Sequence, residues 1–143
     1  MFPIQLGLKA SCAPEQVASR LKYHPDVFEF FTSEVDYTAD GLEKLEEAIQ
    51  KVKSSSVKTI VLHHPMKYQG KRLELVAHPK NNAELVNFID FSTQKLLDLA
   101  KKYDCKVLVH GSYELEEAEL LEPFASIEDA RQYLFSRMDH FCH

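Results

Sequence analysis

The sequence predicts an α/β protein of four successive βα units with parallel strands, and three observations predict it. Apolar residues switch from strand-like to helix-like spacing, in that order, from one end of the chain to the other. Strand starts about 23, 31 and 48 residues apart are too uneven for a solenoid repeat but match βα units with elaborated loops at one end. No linker-like segment interrupts the 143 residues, so 1–143 reads as a single domain. Parallel strands in one sheet require crossover connections, which the intervening helices supply.

The elements follow in order. The first strand is Ile4 to Lys9, and Pro14 with Glu15 suits the first turn of a helix that turns Val17, Ala18 and Leu21 inward and stops at His24-Pro25. Val27 to Thr32 is the second strand. A helix from about Thr38 carries Leu42, Leu45, Ala48, Ile49 and Val52 on one stripe, with Glu43, Glu46 and Glu47 opposite. Lys58 to His63 is the third strand, since Pro65 biases His64 toward extended backbone and ends the run there. The connection over 65–80 is longer than a simple loop needs, and Arg72 to Ala77 is read as a short extra strand. Asn81 or Asn82 caps the longest helix, which ends in Lys101-Lys102. Lys106 to His110 is the fourth strand, and after an acidic stretch Ser126-Ile127-Glu128-Asp129 forms a capping box for the fourth helix.

Composition narrows the function classes. With 45% hydrophobic and 27% charged residues the chain reads as a soluble globular domain, large enough to hold a core without disulfides. A net charge of -5 supplies no general attraction for nucleic acid or an anionic membrane. The start lacks a basic segment followed by an apolar one, and no apolar run approaches the roughly 18 residues of a spanning helix, so neither export nor membrane insertion is expected. Cys12, Cys105 and Cys142 are odd in number and show no CxxC pair, which fits free thiols in the reducing cytoplasm.

Chemistry in parallel α/β proteins gathers where strands end and loops begin. His63 and His64 end the third strand, His110 ends the fourth, and Cys12, Thr32, Ser33 and Glu34 follow the first two. Adjacent strand residues point to opposite sides, so one of His63 and His64 is structural. Two imidazoles do not complete a catalytic metal site, which takes three protein ligands. Glu29 stands mid-strand among phenylalanines, where a paired structural role, with Gln5 or Lys9 as partner, is favoured over direct catalysis. Lys67, Lys71, Arg72 and Lys80 concentrate positive charge in the long loop without a glycine-rich phosphate cradle. Lys67 and Glu34 are the candidates for direct contact with a substrate.

LGLKAS, DVFEFFTSE, TIVLHHPMKY and KVLVHGSY, taken in order, resemble the first four strands of the xylose-isomerase-like barrel superfamily, which includes sugar phosphate isomerases/epimerases and the endonuclease IV family. The resemblance implies half of a TIM-type (β/α)8 barrel and assigns a divalent metal (Mn, Zn, Mg or Co) to His64 and His110, with His63 the less favoured register. It implies metal-dependent isomerisation or epimerisation of a small sugar or sugar phosphate once the barrel is completed, by its missing half or by a second copy in a homodimer. The family's carboxylates on later strands have no counterpart here, which keeps a non-catalytic half-barrel module in play. An endonuclease IV-like nuclease is the weaker alternative on charge, and a flavodoxin-like open sheet is the alternative fold.

Overall fold

The computed structural model describes residues 4–110 and 121–142. Strand β1 (Gly7–Ala10) leads into helix α1 (Pro14–Leu21), β2 (Val27–Phe31) into a 3-10 turn (Glu34–Tyr37) and α2 (Ala39–Lys53), and β3 (Thr59–His63) into a two-stranded hairpin, β4 (Lys67–Tyr68) and β5 (Lys71–Arg72). Helix α3 (Pro79–Tyr103), strand β6 (Lys106–Leu108) and helix α4 (Ile127–Cys142) follow. The acidic stretch read after the fourth strand lies mostly outside the described residues, as does the side chain of Cys142.

Local chemistry accounts for the boundaries. Pro14 opens α1, and His24 leaves it in left-handed backbone (φ 50) ahead of Pro25. Thr38 caps α2 by accepting from the Gly41 N–H at 3.0 Å. Ser126 Oγ accepts from the Asp129 N–H at 3.1 Å and donates to its carboxylate at 2.9 Å, so Ser126 caps the last helix through its side chain. Helix α3 starts one turn earlier than read, on His78. It breaks at Asn82 (φ -152, ψ 74), whose side chain re-caps the main segment by accepting from the Leu85 N–H at 3.1 Å. The extra strand expected over Arg72 to Ala77 does not form. Arg72 pairs with Lys67 across a turn in which Gln69 (φ 49) and Gly70 (φ 77) both take the positive φ of a type I′ hairpin, and the Leu73 N–H closes the hairpin on the Met66 carbonyl at 3.0 Å. Leu73, Leu75 and Ala77 bury their side chains against α3 and α4 instead of extending the ladder.

The main sheet is parallel throughout, with order β1-β2-β3-β6. A flavodoxin-like sheet would place β1 inside; here it is an edge strand. Ala10, Phe28, Phe30, Ile60 and Leu62 pack against Val17 of α1, Ile49 and Val52 of α2, and Leu96 of α3. By alternation the other face carries Lys9, Glu29 and Val61 in one row and Phe31, His63 and Leu108 in the next. Phe31 and Leu108 remain 39% and 42% exposed there, an unusual state for a parallel sheet, whose faces are normally both covered.

Candidate functional site

The open face becomes chemically dense at the C-terminal ends of the strands. His63, the last residue of β3, places Nδ1 2.6 Å from Glu29 Oε1 and Nε2 2.5 Å from His110 Nε2. Lys9 Nζ stands 3.3 Å from the same Glu29 oxygen. Three strands and the segment after β6 thus contribute one side chain each to a continuous line, Lys9, Glu29, His63, His110. Lys9 and Glu29 are register partners on β1 and β2, while Glu29 reaches diagonally along the sheet to His63, two residues beyond its partner Val61. The pairing of Glu29 with Lys9 agrees with the structural role expected for it; its hold on His63 was not foreseen.

Electrostatics follows the geometry. Burial works to raise the Glu29 carboxyl, but hydrogen bonds from His63 and Lys9 outweigh it and hold the group below its ordinary value. Burial, reinforced by the neighbouring His63 and Lys9, lowers the His110 imidazole. Beneath the rim Thr32 Oγ1 donates to the His63 carbonyl at 2.7 Å and meets Tyr37 OH at 2.8 Å, so the backbone that carries His63 is tied to the 3-10 turn.

His64 departs from expectation. Its N–H donates to the Leu108 carbonyl at 2.8 Å, which sets it beside the fourth strand, but its ring turns to the helix side and sits 2.9 Å from Ser92 Oγ of α3. Ser92 donates its own proton to the Phe88 carbonyl at 2.7 Å, so His64 Nε2–H is the donor to Ser92. Only 4% exposed, His64 is pushed down from 6.5 to about 4 by burial. The favoured pairing of His64 with His110 is therefore corrected: strand alternation gives that position to His63. The signal was Glu29, since the face bearing a carboxylate is not the face that packs on helices, and register puts His63 with it.

A cavity of about 600 Å³ opens beside this line, walled by Lys9, Phe31, Thr32, His63, Lys67 and Glu34 among others. The structure thus brings the expected substrate residues Lys67 and Glu34 to the same hollow as His63. Glu34 is already engaged, its Oε2 accepting from the Gln69 N–H at 2.7 Å and so latching the hairpin to the 3-10 turn. Tyr68 of the hairpin stacks on Phe88 at 4.0 Å between ring centroids. The basic loop is divided: Lys67 faces this cavity, whereas Lys71, Arg72 and Lys80 line a second one of about 740 Å³, where Arg72 Nε lies 3.4 Å from the buried Glu74 carboxylate.

Among the described residues no three His, Cys, Asp or Glu side chains are placed to hold a metal ion together. His63 and His110 bring two imidazoles together with their Nε2 atoms at hydrogen-bond distance, 2.5 Å, closer than two ligands of one tetrahedral ion stand, so an ion taken up between them would have to part the rings. No helix among the described residues is long and apolar enough to cross a membrane. No protein-family model, curated protein or solved structure matches the chain.

Proposed function

We propose that the chain supplies four βα units of a (β/α)8-type barrel whose C-terminal rim isomerises or epimerises a small sugar or sugar phosphate, with His63 and His110 as two ligands of a divalent ion. One observation carries this reading: two imidazoles from the ends of neighbouring parallel strands meet beside a cavity of about 600 Å³, a size usual for small-molecule sites, and a divalent ion would replace the proton between their Nε2 atoms. The sequential strand order and the single helix-covered face support it. When bound, a divalent ion would polarise substrate carbonyl and hydroxyl oxygens. His63 and His110 orient, Lys67 offers its ammonium to an anionic substituent, and Phe31 and Met66 give the cavity an apolar wall.

The test is a Co2+ titration of the protein by calorimetry and visible absorption, with His63→Ala and His110→Ala alongside. Binding that both variants lose supports the reading; absence of binding, or binding indifferent to both, refutes it. A non-catalytic binding module is the second reading. It rests on the engagement of both nearby acids, Glu29 by His63 and Lys9 and Glu34 by the hairpin.

A further inference from the structure

We infer that Glu29 is a positioning residue that fixes the His63 proton on Nδ1 and turns the bare Nε2 lone pair toward the rim. The use made of that lone pair rests on the function proposed above; the placement itself does not.

The inference follows from the number of protons available. A carboxylate only accepts, so the hydrogen on the 2.6 Å line between Glu29 Oε1 and His63 Nδ1 belongs to the imidazole. In its neutral form the imidazole carries one N–H, which then leaves His63 Nε2 as an acceptor. That nitrogen faces His110 Nε2 at 2.5 Å, and two bare lone pairs do not approach so closely, so His110 carries its proton on Nε2. With His63 neutral the line is ordered in one direction: His110 donates to His63, and His63 donates to Glu29. A carboxylate behind a histidine selects the tautomer and raises the basicity of the far nitrogen, as behind metal-bound histidines.

Glu29 would be costly on this strand without such a role. Its neighbours are Val27, Phe28, Phe30 and Phe31, and its side chain is 27% exposed. Lys9 offsets the charge at 3.3 Å but shares the same oxygen with His63, so the ammonium stabilises the carboxylate without displacing the imidazole. In Glu29→Gln the amide presents either its oxygen or its NH2 to Nδ1, and the tautomer is no longer dictated.

Long-range nitrogen–proton NMR of the isotope-labelled imidazoles, in mildly alkaline buffer, reads the tautomer in the wild-type protein and in Glu29→Gln and Lys9→Met. Wild type is expected to show His63 protonated on Nδ1 and bare on Nε2, Lys9→Met to keep that pattern, and Glu29→Gln to show mixed tautomers. Co2+ affinity is expected to fall about 10- to 100-fold in Glu29→Gln. His63 protonated on Nε2 in the wild type overturns the inference, with no variant needed, and so does a His63 spectrum unchanged in folded Glu29→Gln. Should the tautomers behave as expected while the wild type binds no Co2+, the metal reading fails and the positioning role of Glu29 stands.

Discussion

Replacing His64 by leucine separates a core histidine from a functional one. The ring is 4% exposed, donates to Ser92, and is pushed down from 6.5 to about 4 by burial. Because the folded value lies below the unfolded one, His64 contributes fully to stability above about pH 6.5, where it is neutral in both states. That contribution is lost as pH falls toward about 4, since the unfolded chain takes up a proton that the folded chain refuses. One such proton changes stability by about 1.4 kcal/mol per pH unit, which amounts to about 2 kcal/mol at pH 5 and about 3 kcal/mol at pH 4. H64L removes the effect. It also removes a hydrogen bond of about 1 kcal/mol, while Ser92 keeps its donation to the Phe88 carbonyl. The wild type is therefore expected to be slightly more stable at neutral pH and the variant more stable in acid, with the curves crossing between. Urea unfolding of both proteins at a series of pH values measures the difference, in which the titration of His110 and the carboxylates cancels. Parallel curves, or a wild type that gains on the variant in acid, would refute the buried neutral imidazole.

Three further outcomes are expected. A Cβ on Gly41 would lie 2.2 Å from the Val35 carbonyl oxygen and 2.7 Å from Asp36 Cα, so Gly41→Ala must push α2 off the 3-10 turn and cost about 3 kcal/mol in denaturant unfolding; a loss under about 1 kcal/mol would show that the contact relaxes freely. Thr32→Val leaves the buried Tyr37 hydroxyl without its 2.8 Å partner and the His63 carbonyl without the side-chain donor, for a loss of about 1–3 kcal/mol in the same assay. Burial and the neighbouring Asp36 carboxylate raise the Cys12 thiol to about 11, so at neutral pH it should react with iodoacetamide roughly 100-fold more slowly than an ordinary thiol, as peptide mapping by mass spectrometry will show.

Much of the framework was legible because it depends on short-range chemistry. Pro14, Thr38 and Ser126 act on the backbone within one turn, so α1, α2 and α4 start close to where their signals stand. The four strands of the main sheet were found, with boundaries displaced by up to a few residues because pairing sets an edge: β1 begins at Gly7, where its partner Val27 begins. The run after Arg72 misled, since Leu73, Leu75 and Ala77 alternate as in a strand but are buried by two helices rather than by a neighbouring strand.

Sequence by itself determined the alternation of strands and helices, the crowding of histidines at the strand ends, and the anomaly of an acid in the middle of β2, all of which depend on residues near one another in the chain. Tertiary structure decided which imidazole belongs to the rim, because Glu29 points to His63 only once the register of β2 and β3 is fixed. Both faces of β3 are apolar enough to pack, so nothing local distinguishes the side of His63 from that of His64. The choice was made when the helices covered Phe28, Phe30, Ile60 and Leu62, which sent His64 into the core and left Glu29 to meet His63 on the open face. Burial of apolar area is non-directional, and only the packed arrangement of all the strands gives it a side.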